Sequence, residues 1–316
     1  MDSEKTETSD VFHTLDEAAA HLESPVVTIG NFDGVHMGHR TIFRRVDELA
    51  CDAGVRSVAL TFSPHPVRFF RPDVDEFRLT TDRQKFRLIR EAGIDHVVAL
   101  RFDQNVASLS PSDFVGDIID NGLRASKTLV GANFRFGKNR AGSTDDLVRL
   151  CSDRGIDTEI CEEVEYDGDT VSSTRIRQEL SESNVRYASK LLERNHTVEG
   201  LVVKGEQRGR DLGFPTANIE PENLVPGDGI YATFLHIPGE SPLPSATSIG
   251  YRPTFEGDGR TIECFVLDRE DLDLYGEGVE LEFVQFVRPE LEFEGSEALV
   301  EQMHEDVRDV RSILED

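Results

Sequence analysis

The chain has 316 residues, enough for about two domains of ordinary size. Hydrophobic residues make up 38% and charged residues 30%, a globular balance, and no apolar run approaches the ~20 residues needed to span a bilayer. The formal net charge of −27 argues against a nucleic-acid partner, which would require a basic face, so any polyphosphate ligand must be held by local positive potential.

The start, MDSEKTETSDVF, is acidic and polar and lacks the basic-then-apolar pattern of a secretory signal. The expectation is a cytoplasmic protein whose first ten residues are disordered. Cys51, Cys151, Cys161 and Cys264 are scattered with no C-x-x-C pair, which suits neither a zinc cluster nor a disulfide framework. Lysine is scarce (six) and arginine plentiful (28), a composition that fits a high-salt cytoplasm.

Residues 26–165 alternate strand-like and helix-like segments. VVTIG (26–30) is an apolar run ending in Gly, and Ile42, Phe43, Val46, Leu49 and Ala50 then recur at helical spacing. SVALTF (57–62) comes next as a second strand. Three joints share one grammar: DAGVRSV (52–58), EAGIDHV (91–97) and DRGIDTE (153–159). Each has Gly where a helix would end left-handed, then a β-branched residue opening a strand. In SPSDF (110–114) Ser110 reads as an N-cap with Pro111 in the first turn. Strand–helix repetition with short joints predicts an α/β domain, a parallel Rossmann-like sheet covered by helices.

GNFDGVHMGHR (30–40) lies where the first strand hands over to the first helix, the edge at which open α/β sheets bind ligands. His36 and His39 are three apart at a helix start, so both can face one side. Gly38 between them removes a side chain that would keep a nucleotide from the backbone. Helix amides and two imidazole donors make a polyphosphate cradle that can stabilise charge during in-line attack on an α-phosphate. A metal-binding His pair lacks a third ligand at useful spacing, and a plain helix cap does not need His-x-Gly-His.

Past Arg186 the grammar changes. A helix, VRYASKLLE (185–193), leads into short β-branched or aromatic segments separated by Gly, Pro and Asp turns, which predicts an all-β antiparallel barrel or sandwich. Leu299, Val300, Met303, Val307, Val310 and Ile313 mark one face of a terminal helix. The boundary falls near 183–187, giving domains 1–185 and 186–316.

GLVVKGEQRGRDLGFPTANIEP (200–221) carries Gly205, Gly209 and Gly213 but no G-K-[ST], so it is a glycine flap rather than a P-loop. Pro215 stiffens the chain after the flap, and Thr216 and Asn218 alternate to one face of an extended segment. A hydroxyl and an amide oxygen are hard neutral ligands suited to Mg²⁺ carried by ATP. In TIECFVLD (261–268), Ile262, Cys264 and Val266 share one face while Glu263 shares the other with Phe265 and Leu267. A carboxylate so placed either closes a structural hydrogen bond or is held for chemistry.

These motifs resemble those of the bacterial bifunctional riboflavin kinase/FMN adenylyltransferase (FAD synthetase) family. The likeness runs from GNFDGVHMGHR through TFSPHP (61–66), LVGANFRFGKNRAG (129–142) and VSSTRIR (171–177) to GFPTAN (213–218), GYRPTF (250–255) and the Glu263 strand. It implies phosphorylation of riboflavin to FMN in the C-terminal barrel and adenylylation of FMN to FAD in the N-terminal domain, with ATP and Mg²⁺. By the resemblance, His36 and His39 are catalytic and bind ATP phosphates, Gly30, Asn31, Phe32 and Gly38 bind ATP or flavin, Asn133 lies near nucleotide and flavin, and Ser173, Thr174 and the catalytic Arg177 hold ATP from the far side. His65 either lies near the flavin or is a turn histidine. Thr216 and Asn218 hold Mg-ATP under the flap of Gly205, Gly209, Gly213 and Pro215, and Glu263 is the general base. An adenylyltransferase of pantetheine phosphate or nicotinamide mononucleotide would leave Gly213–Asn218 and Glu263 without a job. A non-catalytic flavin sensor would have no use for both histidines and that glutamate.

Overall fold

The computed structural model describes residues 10–205, 214–254, 257–269 and 272–315, with the backbone alone for 251–254 and 257–259. Residues 1–9 of the N-terminal segment, Gly209, Gly213 and the aromatic side chains of GYRPTF therefore lie outside it. The chain divides into two compact units, residues 1–75 with 82–171, and residues 76–81 with 172–316.

The first unit opens with β1 (Val11–Phe12), α1 (Leu15–His21), β2 (Val26–Ile29), α2 (Met37–Ala53) and β3 (Ser57–Ser63). It continues through α3 (Pro66–Phe70), α4 (Asp82–Glu91), β4 (His96–Arg101), α5 (Gln104–Ser108) and α6 (Pro111–Asp113). Then come β5 (Lys127–Gly131), α7 (Thr144–Ser152), β6 (Asp157–Cys161) and a small hairpin, β7 (Glu165–Tyr166) and β8 (Asp169–Thr170). Six strands form one parallel sheet in the order β1-β4-β3-β2-β5-β6. Its two faces bury separate clusters because neighbouring strand residues point oppositely: Val27, Ile29, Val58 and Leu60 join one, Val26 and Ala59 the other. The three Gly joints adopt the left-handed conformation expected of them, at Gly54 (φ 68°), Gly93 (φ 100°) and Gly155 (φ 76°). Ser110 caps α6 by accepting from the Asp113 amide, and the helix then widens into π-helical turns over Phe114–Gly122. Asp10 is already fixed, its carbonyl accepting from Val97 N and its carboxylate pairing with Arg90.

The second unit holds α8 (Ser173–Ser181) and α9 (Val185–Leu192), then β9 (His196–Val203), β10 (Ala217–Pro221) and β11 (Gly229–His236). β12 (Leu243–Thr254), β13 (Gly257–Val266), β14 (Gly278–Arg288) and α10 (Ser296–Glu315) complete it. The strands close an antiparallel barrel in the order β10-β13-β12-β11-β14-β9. Barrel rather than sandwich is therefore the outcome. Tyr231, Leu235, Ile249, Ile262, Leu281 and Phe283 fill it. Outside, Val307, Val310, Ile313 and Leu314 of α10 cover Ala232, Ala246, Phe265 and Leu267. A bidentate pair between Arg288 and the buried Asp306 fastens the helix at 2.6–2.7 Å. Residues 76–81 run beside this unit: Leu224 N donates to Arg78 O (2.8 Å), and Asn223 Nδ2 donates to Leu79 O (3.0 Å).

Candidate active sites

In the first unit the chain builds β2, β3 and β4 outward in one direction, then returns to place β5 and β6 on the other side of β2. The switch point lies between β2 and β5, and its carboxyl edge is where open parallel sheets bind their ligands. The loop after β2 is sharply folded, with left-handed backbone at Phe32 (φ 49°), Gly34 (φ 84°) and Val35 (φ 42°). A β-branched residue there is strained and must be held by its surroundings. The buried Phe32 ring supplies an anchor: a Cβ on Gly30 would lie 2.8 Å from it, so residue 30 has to be Gly.

The same turn aims the histidines. His36 is 5% exposed and occupies the N-cap position of α2, yet its side chain does not cap the helix. Its ring stacks on His39 with centroids 3.6 Å apart and planes 19° apart, and His39 meets Phe32 edge-on at 5.3 Å. Gly38 makes room, since a Cβ there would stand 3.2 Å from His36 Cε1. The pair thus forms one packed unit at a helix N-terminus, a location that favours negative charge. Asn31 is exposed, and its carbonyl accepts from Thr61 Oγ1 (3.2 Å), joining this loop to β3. The buried Asp33 is a loop residue that pattern reading passed over, although its place in Gly-Asn-Phe-Asp-Gly was visible.

The flanking strands carry the other predicted groups. His65, after β3, is 8% exposed and caps α3: its Nδ1 accepts from Val67 N at 3.2 Å, leaving Nε2 as the donor nitrogen of the neutral ring. Asn133, just past β5, is exposed and donates from Nδ2 to Glu163 Oε1 at 2.8 Å. Ser173, Thr174 and Arg177 belong to the second unit. Ser172, not Ser173, caps α8 by accepting from Arg175 N (3.2 Å), so Ser173 and Thr174 are the first helical residues. Arg177 Nε donates to Phe77 O (2.7 Å), and its guanidinium lies over the Phe77 ring at 5.3 Å. Arg175 donates to Tyr187 OH.

In the barrel, register brings the second set together. Asn218 of β10 pairs with Glu263 of β13, and Glu263 in turn pairs with Ser248 of β12. Directly opposed residues in antiparallel strands share a face, here the outer one, with Glu263 half-buried. Cys264, the next residue, points inward, and burial pushes its thiol up to about 11. Gly205 also has a local reason to be glycine besides flap mobility, because a Cβ there would run into the Asn218 side-chain amide. Thr216 and Pro215 are half-buried in the extended run that leads into β10. An aromatic group that pattern reading missed lies further along the Glu263 face: Phe214 packs edge-on against Phe265 (5.1 Å) and against His304 of α10 (5.0 Å). The i, i+2 spacing of Glu263 and Phe265 was the available signal.

The sequence model of the FAD synthetase family matches residues 18–175, and that of the riboflavin kinase family matches residues 192–314. The bifunctional riboflavin kinase/FMN adenylyltransferase of Escherichia coli K12 is 36% identical over 295 residues, covering 93% of each chain. That of Pseudomonas fluorescens is 39% identical over 290 residues, covering 91% of this chain and 92% of its own. This chain belongs to that bifunctional family. A solved structure from Streptococcus pneumoniae, described as a macrolide-efflux protein, superposes with a TM-score of 0.84 at 28% identity, covering 95% of this chain and 98% of its own. The two family matches fall in the same order as the two sets of site residues. The His36/His39 loop lies in the FAD synthetase match, and the Asn218–Glu263 pair in the riboflavin kinase match.

Proposed function

We propose that the protein makes FAD from riboflavin in two ATP-dependent transfers at separate sites, each served by its own set of residues. As a riboflavin kinase and FMN adenylyltransferase it takes riboflavin, FMN and ATP as substrates. The matches end at residue 175 and resume at 192, which supports a functional boundary near 185, with the adenylyltransferase in 1–185 and the kinase in 186–316.

In the barrel, Glu263 takes the proton from the terminal ribityl hydroxyl as that oxygen attacks the γ-phosphate. Thr216 Oγ1 and Asn218 Oδ1 are neutral hard donors that fit Mg²⁺ arriving on ATP, and the missing Cβ at Gly205 leaves the Asn218 amide the space it occupies. Among the described residues no cluster of three or more His, Cys, Asp or Glu could hold a metal ion. When bound, Mg²⁺ supplies charge neutralisation at the transferred phosphoryl group. In the N-terminal domain, the stacked His36 and His39 and the start of α2 stabilise charge on the α-phosphate and departing pyrophosphate as the FMN phosphate attacks. We place the protein in the cytoplasm, where its nucleotide substrates are. Among the described residues no helix is long and apolar enough to cross a membrane, so the efflux description of the Streptococcus protein lends nothing to this reading.

The observation that carries the proposal is the register that sets Asn218 opposite Glu263 in the riboflavin kinase match. Incubating purified protein with riboflavin, Mg²⁺ and ATP and following FMN and FAD by chromatography tests it. Both products are expected in succession. FMN alone would leave the N-terminal domain inactive, and no product would favour a flavin-binding sensor.

A further inference from the structure

Asn133 and Glu163 lie 30 positions apart and meet at the carboxyl edge of the parallel sheet. Asn133 comes just after β5, the strand beside the switch point, and Glu163 lies between β6 and β7. The Asn133 amide nitrogen donates to Glu163 Oε1 at 2.8 Å, and Thr170 Oγ1 of β8 makes a longer contact to Glu163 Oε2 at 3.5 Å. Each carboxylate oxygen is thereby assigned a partner.

An ionised carboxylate only accepts hydrogen bonds, so the side of the Asn133 amide that faces it has to be the NH₂. The other end, Oδ1, is then held turned away from Glu163. It lies by the end of β5, where a Cβ on Gly131 would be 3.8 Å from it. An asparagine with a free choice could present either a donor or an acceptor to a ligand. This one presents its acceptor, Oδ1, on the side turned away from Glu163.

We propose that Glu163 is a positioning residue for FMN adenylylation: it locks the Asn133 amide so that Oδ1 accepts from an N–H of the bound flavin or adenine. This deepens the reading above and rests on it. Two substrates carry that chemistry, the imide N–H of the flavin and the exocyclic amine of adenine, and the KM that moves identifies which one uses it. The reaction itself is unchanged, since no bond is made or broken at Asn133.

The test uses the full-length protein and its own kinase reaction as an internal control. Glu163→Ala should raise the KM for FMN or for ATP about tenfold in FAD formation, leave kcat within about twofold, and leave riboflavin phosphorylation unchanged. Asn133→Asp should be worse, because two carboxylates would face each other across the present hydrogen bond. Asn133→Asp with Glu163→Gln should recover to within about threefold, since the new amide donates to the new carboxylate and an acceptor again faces the ligand. A merely structural contact would lower the melting temperature without that recovery. Unchanged KM values for both substrates in Glu163→Ala, or failure of the double variant in a protein that melts normally, would overturn the proposal. His36→Ala run alongside separates the two ideas: if it too left FAD formation intact, the reading of the whole N-terminal site would fall, and not only this residue's part in it.

Discussion

Asn218 lies directly opposite Glu263 across the β10–β13 pair, on the outer face of the closed barrel. The juxtaposition puts an amide next to a carboxylate on strands whose positions the ladder fixes, so the spacing of the proposed metal ligand and the proposed base is set by the barrel. Replacing Glu263 with Gln keeps the shape and removes the proposed base. Riboflavin phosphorylation should fall by about 10²- to 10⁴-fold, the usual contribution of a general base. Conversion of supplied FMN to FAD should stay within twofold. Equal loss of both, measured by chromatography on the same preparation, would contradict separate sites.

Gly205 gives a sharper structural test of the same site. A methyl group there would run into the Asn218 amide nitrogen, so Gly205→Ala has to push the amide aside or shift the chain after β9. The expected result is a loss of kinase activity of about tenfold or more, with FMN adenylylation unaltered. Full kinase activity in this variant would mean that the position of the Asn218 amide does not matter.

His36→Ala should do the reverse of Glu263→Gln. It removes a donor at the helix start and leaves His39 without its stacking partner at 3.6 Å. Loss of one preorganised electrostatic group at a phosphate commonly costs about 10²- to 10³-fold. FAD formation from FMN should drop by that order while FMN production persists. An accumulation of FMN with no FAD, seen in a single coupled assay, is the readout.

Much of this architecture could be read from local chemistry. Gly54, Gly93 and Gly155 each announced a helix end because only a residue without Cβ adopts positive φ cheaply, and the interior-facing set Ile262, Cys264 and Val266 came from a two-residue period. The features that stayed hidden depend on residues distant in sequence. The π-helical turns over Phe114–Gly122 bury Phe114, Val115, Ile118 and Ile119, and the local spacing did not announce them. Gly205 read as flap flexibility because its true neighbour, Asn218, comes close only once β9 and β10 pair. Arg177 looked like a free phosphate fork. Its bond to the Phe77 carbonyl depends on a segment a hundred positions earlier.

The Arg288–Asp306 pair supplies a prediction about stability. Asp306 would mark an error on an otherwise apolar stripe of α10 if read from sequence alone, yet its side chain is only 7% exposed and that of Arg288 16%. Two parallel hydrogen bonds satisfy both charges, and Gln302 Nε2 adds a third to Asp306 at 3.1 Å. Removing one partner strands the other in a poorly hydrated site, which costs about 3 kcal/mol. Asp306→Ala should therefore lower the denaturation free energy of the barrel by about that amount, whereas Asp306→Leu paired with Arg288→Met should recover much of it. If the single change is silent in a denaturant titration, the helix is held by its apolar contacts alone.

The charge of −27 makes stability depend on salt and sets two effects against each other. Exposed ion pairs such as Arg45–Glu48 and Arg311–Asp268 weaken as salt rises, and each is worth only ~0–1 kcal/mol. Repulsion among the excess of 61 acidic over 34 basic residues acts across the whole surface and is screened by the same ions, as the Debye length shrinks from about 10 Å at 0.1 M to about 3 Å at 1 M. With so large an imbalance the repulsive contribution should win. Melting temperature and both transferase rates should accordingly rise from low to molar KCl, and a neutral osmolyte at matched water activity should not reproduce the midpoint of that rise. A flat or falling melting curve would show that the surface carboxylates are neutralised in pairs well enough to need no added salt.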